Sequence, residues 1–224
     1  MKPPPGIEAL PNGQWVIEGD THLSAWAKQK GTIVTDPWVF KFLAPYVSGV
    51  DVIWDIGACI GDHTRQYIDW GAEVIAFEPN PPAFACLTHN CPDATCYNVA
   101  ASDRDGTLSF TQLDNAGASR IVREGEWSVD AVALDDFPAP RPAPGFVKID
   151  CEGWEPNVIT GMAGTITRHK PILFVEINEG ALNANGFTGE GLRDLIKSLG
   201  YRTEILYPSK AKPGDPQFDC LFIP

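Results

Sequence analysis

Three acidic residues, Asp55, Glu78 and Asp150, each close a short apolar run: Val52-Ile53-Trp54 precedes the first, Val74-Ile75-Ala76-Phe77 the second and Phe146-Val147-Lys148-Ile149 the third. Such runs read as buried strands. Each acid therefore stands at the carboxyl end of a strand, where open α/β sheets bind their ligands. Asp55 opens the turn Asp55-Ile56-Gly57-Ala58-Cys59-Ile60-Gly61. Gly57 lets the backbone approach a ligand closely, and Gly61 can open the next helix. An acid at a strand end suits an ammonium group, and a helix N-terminus suits a carboxylate. The pair complements the amino-acid end of a small ligand. Any strand-to-helix turn can contain two glycines, so this segment alone says only that some ligand sits there. Glu78 narrows the choice, because an acid at the end of the second strand can accept both hydrogen bonds of a ribose diol.

The elements that must hold these residues follow from the pattern. Strands over 51–56, 73–78 and 95–99 alternate with helices over 63–70 and 82–90, the signature of a parallel sheet with crossover helices. Residues 101–137 break the alternation with β-like runs at 107–110 and 129–134, an antiparallel excursion. Between them 114–126, containing Gly117 and Gly125, reads as a loop, and 138–144 is a Pro-rich connector. Alternation resumes with a strand at 146–150 and one helix carrying Trp154, Val158, Ile159 and Met162. A strand at 172–177 and a helix with Leu192, Leu195, Ile196 and Leu199 on one face come next. Strands at 201–207 and 218–223, joined by a Pro/Gly loop, must pair antiparallel. Upstream, 14–18 is a short strand, and Thr35-Asp36-Pro37 starts a helix that Pro45 should end or kink.

Composition fits one α/β domain of 224 residues with 44% hydrophobic residues. The division expected is an N-terminal extension and helix over 1–48 packed on a ligand-binding domain over 49–224. With 29 acidic against 17 basic residues the formal net charge is −12, which repels phosphate backbones and disfavours nucleic acid or an anionic membrane as partner. No stretch approaches the roughly 20 apolar residues of a membrane span, and no signal core follows Met1, so a cytoplasmic location is expected. Cys59, Cys86, Cys91, Cys96, Cys151 and Cys220 contain no C-x-x-C pair and read as thiols packed like small hydrophobes.

Asp55 to Gly61, Ala76-Phe77-Glu78-Pro79, Asn98 to Gly106, Val147 to Glu155 and Pro171 to Ile177 together resemble the FkbM-type methyltransferases, in the order in which that family carries them. Cys59, where the family often has Asn, and Trp154, where it often has a smaller residue, depart from the pattern. The resemblance implies the class I methyltransferase fold. That is a Rossmann-like three-layer sandwich with a seven-stranded, mostly parallel sheet whose last strand is antiparallel. It also implies S-adenosylmethionine as cofactor, S-adenosylhomocysteine as product and O-methylation of a hydroxyl on a sugar, glycan or small natural product. The cofactor residues it suggests are Asp55, Gly57, Ala58, Cys59, Gly61, His63 and Thr64 for the methionine part. Glu78 would take the ribose, and Pro79, Asn80, Ala100, Ala101 and Ser102 the adenine. A nicotinamide-dependent oxidoreductase on a similar sheet is the first alternative, but it needs a G-x-G-x-x-G turn that is absent here. A non-catalytic cofactor-binding module is the second.

A sugar hydroxyl needs help in losing its proton. Asp150 is the first base to consider, with Lys148 on the same strand face to orient it and Glu152 beside it. Lys148–Asp150 reads almost as well as a structural ion pair beneath the cofactor. No metal is the favoured reading; the alternative is Mg²⁺ held by Asp150, Glu176 and Asn178 at neighbouring strand ends. His22 and His63 are reserve bases, whereas His89 and His169 read as surface helix residues. Trp15 and Trp26 could stack on a sugar ring, Trp38 reads as core, and Arg120 could pair with an acidic acceptor.

Overall fold

The computed structural model describes residues 2–34, 36–111, 113–115, 118–122, 125, 127–138, 142–207 and 217–224. Thr35, Gly117, part of the Pro-rich connector and the loop before the last strand lie outside the described residues.

The chain opens with a two-stranded antiparallel ribbon, β1 (Ile7–Ala9) and β2 (Trp15–Ile17), followed by helices α1 (Leu23–Lys30) and α2 (Pro37–Val47). Asp36 caps α2 by accepting from Trp38 N. Pro45 lies inside the helix, which runs two residues past it to Val47. The alternating part then runs β3 (Val52–Ile56), α3 (Asp62–Asp69), β4 (Glu73–Phe77), α4 (Pro81–Asn90) and β5 (Thr95–Tyr97). An inserted block follows, β6 (Ala100–Ser102), β7 (Gly106–Thr111), β8 (Arg120–Val122) and β9 (Trp127–Ala133). The chain finishes with β10 (Phe146–Ile149), α5 (Glu155–Gly161), α6 (Ala163–His169), β11 (Ile172–Asn178), α7 (Glu179–Ala184), α8 (Gly189–Ser198), β12 (Thr203–Leu206) and β13 (Gln217–Ile223).

Seven strands form one sheet in the order β12-β13-β11-β10-β3-β4-β5, parallel except that β13 runs against both its neighbours. This is the three-layer α/β architecture expected. Side-chain alternation assigns the layers. Ile53, Phe146, Phe174 and Leu221 point to one face, where Val39, Phe40, Leu43 and Val47 of α2 and Tyr67 of α3 cover them. Trp54, Val147, Ile149, Val175 and Ile177 point to the other, against Val158, Ile159, Ile166, Leu182, Leu192 and Ile196. Two residues along from the α2-facing set stand Asp55, Lys148, Glu176 and Asp219. One face of the sheet therefore changes from apolar to charged at one edge.

The excursion is a second, four-stranded sheet, β6-β9-β7-β8. It corrects two expectations. Residues 114–126, read as a loop, contain β8, and Ala100–Ser102 form a strand parallel to β9. The helix expected around Trp154 to Met162 is α5, with Trp154 as its N-terminal cap, and a second helix that was not expected, α6, follows it. The second is started from outside: Asp135 accepts from Gly164 N at 2.6 Å and from Thr165 N at 2.8 Å, satisfying helix-terminal donors. Trp38, read as core, is 65% exposed.

Candidate active site

The carboxyl edges of β3, β4, β10 and β11 surround a cavity of about 460 Å³. Gly57, Cys59, His63, Glu78, Pro79, Ala100 and Ala101 line it, as do Lys148, Asp150 and Glu152. Phe77, Val99, Phe110, Ile121 and Trp154 give it one apolar wall, and His22 and Trp26 border it from the N-terminal segment. The remaining expected cofactor residues stand behind the lining. Asp55 is fully buried: its Oδ2 accepts from Thr64 Oγ1 at 2.6 Å, and its Oδ1 lies 3.4 Å from Lys148 Nζ. Register explains this, because Asp55 and Lys148 are Cα partners on adjacent parallel strands and share a face. Thr64 is buried and spends its hydroxyl proton on the same bond. Ala58 is buried with its N–H on Phe77 O. Gly61 sits against Leu87 and Cys91. Asn80 is buried at the head of α4. Ser102 accepts from Trp154 Nε1 and faces Asp103.

The acid that does face the cavity with Gly57 is Asp62, the first residue of α3, a residue not among those expected from the sequence. Burial pushes its carboxyl up to about 7, although the Lys148 charge pulls the other way. Glu78 accepts from Cys59 N and Asn80 N, each at 2.8 Å. Burial still raises it to about 7 against those two bonds. The turn is shaped for this contact. Cys59 takes a left-handed φ of 47°, and Gly57, at φ 76°, has no room for a side chain: a Cβ would stand 1.8 Å from Asp150 O. Cys59 therefore offers its backbone N–H to Glu78, and its thiol is held above its ordinary range chiefly by burial.

Lys148 is the hub. Its Nζ donates to Gly57 O at 2.8 Å and lies 3.4 Å from both Asp55 Oδ1 and Asp150 Oδ2. Burial opposes its charge, but Asp150, Asp55 and Asp62 outweigh burial and hold the ammonium well above its usual value. It is a fixed cation rather than a base. Glu152 adopts φ 51°, costly backbone for a residue with a side chain. Glu155 anchors that turn, its Oε1 accepting from Cys151 N at 2.9 Å and Gly153 N at 3.1 Å. Asp150, Glu152 and Glu176 bring carboxylate oxygens within 4.8 Å of one another. This differs from the metal set read from the sequence. Asn178 is occupied otherwise, accepting from Ala181 N and donating to Glu152 Oε2 at 3.1 Å. His63, packed by Phe40 and Tyr67, is held well below its usual pKa by burial and then by Lys148. A smaller cavity of about 270 Å³ adjoins this cluster and adds Val39, Ile149, Phe174, Tyr207 and Asp219 to lining residues shared with the first.

The family model for the methyltransferase FkbM domain matches residues 55–203, from the acid of the first turn to the start of β12. The chain belongs to the FkbM methyltransferase family. Hexuronic acid methyltransferase AglP of Haloferax volcanii is 30% identical over 150 residues, spanning 63% of this chain and 62% of AglP. Among solved structures, the methyltransferase FkbM from Methylobacillus flagellatus superposes with a TM-score of 0.53 at 21% identity, covering 78% of this chain and 43% of that one. A TehB-like SAM-dependent methyltransferase from Corynebacterium glutamicum gives 0.56 at 10% identity, covering 92% and 97%. These last two likenesses establish the fold. Among the described residues no helix is long and apolar enough to cross a membrane.

Proposed function

We propose that the chain is an S-adenosylmethionine-dependent O-methyltransferase acting on a hydroxyl of a sugar or glycan. Residues 49–224 would form the catalytic domain and 1–48 an extension bordering its cavity. The observation that carries the reading is the placement of Asp150. It lines both cavities, is held by Lys148, and stands one strand away from the Gly57 turn and two from Glu78. The residues fit the cofactor. A cavity of about 460 Å³ is of ligand size. Asp62 supplies a carboxylate for an ammonium, Glu78 one for a ribose diol, and Val99, Ala100, Ala101 and Trp154 an apolar bed for a base. Bound there, the cofactor supplies an electrophilic methyl group on a sulfonium.

The chain's own residues do the rest. Lys148 holds Asp150 in place through Oδ2, and Asp150 accepts the acceptor's hydroxyl proton. The buried floor excludes water, and positioning supplies most of the acceleration. AglP's name supports a sugar acceptor. The acidic surroundings of Asp150, which include Glu152, Glu176 and Asp219, favour a neutral hydroxyl over a carboxylate as the methylated group. The test is incubation of the chain and methyl-labelled cofactor with neutral and acidic glycan pools, read by mass spectrometry. Label on hydroxyl oxygens of a sugar is the expected outcome. Label only on carboxylates, or stable binding of a nicotinamide dinucleotide with no transfer, would overturn the assignment.

A further inference from the structure

We propose that Asp150, Glu152 and Glu176 form a binding site for one divalent cation between the two cavities. The carboxylate oxygens of these residues lie within 4.8 Å of one another. Two ligands of one ion can be no farther apart than twice the metal–oxygen distance, about 4.2 Å for Mg²⁺ and about 4.6–5.2 Å for Ca²⁺. The cluster therefore accepts Ca²⁺ with little movement and Mg²⁺ or Mn²⁺ after a small contraction.

Proximity of acids alone would not make a site; the state of Glu176 supplies the independent observation. It is 7% exposed and lines both cavities, yet its Oε2 is buried without a hydrogen-bond partner. A buried carboxylate oxygen left unpaired is costly, and a cation bound at the cluster removes that cost. The surrounding bonds are those of an outer shell. Gln217 Nε2 donates to Glu176 Oε1 at 2.6 Å and Asn178 Nδ2 to Glu152 Oε2 at 3.1 Å, leaving each carboxylate oriented with oxygen to spare. The left-handed backbone at Glu152, secured by Glu155, turns that acid into the cluster. Lys148 contacts Asp150 but is itself shared with Asp55 and Gly57 O, so it does not satisfy the group. Three carboxylates leave coordination positions open towards the smaller cavity, where hydroxyls of a polyol acceptor would complete the shell. That last role rests on the function proposed above; the metal site does not.

The test is a titration of Mn²⁺ into the full chain without cofactor, with free ion followed by its electron paramagnetic resonance signal. One site per chain, displaced by Mg²⁺ or Ca²⁺, is expected. Asn178→Ala should weaken it about 10–100-fold, and Asp150→Asn and Glu176→Gln at least as much. Asp69→Asn, at an exposed ion pair with Arg65, should leave it unchanged. Asp150→Asn, with a partly exposed side chain, and Asn178→Ala keep the test decisive if the buried Glu176→Gln does not fold. No Mn²⁺ bound at about 1 mM, the weak end of protein Ca²⁺ sites, would overturn the proposal. So would binding that Asp150→Asn and Asn178→Ala leave unchanged. S-adenosylhomocysteine binding, measured separately, reports on the cofactor reading and can fail or succeed independently.

Discussion

Asp150 keeps a side chain 38% exposed while Lys148 holds it at 3.4 Å. Replacing it by Asn preserves shape and removes the proton acceptor. The expected result is a fall in kcat of about 10²–10⁴ with S-adenosylhomocysteine affinity nearly unchanged, measured by initial rates and calorimetry. A parallel loss of affinity would make Asp150 a structural partner of Lys148 instead. At this scale the sequence was legible where strand ends announce themselves: Glu78, Lys148, Asp150 and Glu152 all line the cavity. Asp55 shows what it hides. An acid at the end of a strand looks available until the register pairs it with Lys148 on the next strand, and register between distant segments leaves no mark on local sequence. Asp62 was passed over because a first-turn acid reads equally well as a helix-end charge. Asp219 reaches the smaller cavity only because β13 pairs antiparallel with β11 and sets it opposite Glu176.

The N-terminal ribbon packs on α4 and is tied there by a buried side chain. Asn90, at the end of α4, accepts from Trp15 N at 2.7 Å and donates to Trp15 O at 2.9 Å and Ile60 O at 2.8 Å. It thereby ties β2 to the ligand turn, and His89 stacks on Trp15 at 3.8 Å beside it. Asn90→Ala leaves these buried backbone groups unpaired, so a stability loss of at least about 2 kcal/mol is expected in urea unfolding. A loss below about 0.5 kcal/mol, the range of inconsequential surface changes, would show the ribbon to be held by other contacts. A second element-scale prediction concerns the packing of α5 on β6. A Cβ at Gly161 would lie 1.7 Å from Ser102 O, so Gly161→Ala should cost about 1–3 kcal/mol by overpacking, read from the same unfolding curves. The alternating strands and helices were legible because hydrophobic period marks them. The separate helix α6 was not, since Asp135 starts it from a distant segment. Nor was β6, three residues whose pairing with β9 depends on the folded excursion.

Across the whole molecule, burial has lifted several carboxyls together: Asp62 and Asp219 from 3.8 to about 7, Glu78 and Glu155 from 4.5 to about 7. The sign follows from proton counting. Between about pH 4 and 7 these folded carboxyls hold protons that the unfolded chain has released, so their contribution to stability falls as pH rises through that window, opposed by His63, whose imidazole the fold keeps neutral. The melting temperature without ligand is expected to be higher near pH 5 than near pH 8. A melting temperature that rises over that interval would show these carboxyls to be ionised and well paired in the fold. The formal charge of −12 adds self-repulsion in the same direction. The central claim, that the cavity between the Gly57 turn and Glu78 takes the methyl-donor cofactor, is tested most directly by calorimetric titration of S-adenosylhomocysteine into the chain and its Glu78→Gln variant. One site per chain, weakened about tenfold or more by the loss of a charge-assisted bond to the ribose, is the expected result. No binding to the unaltered chain, or binding that Glu78→Gln leaves untouched, would contradict it.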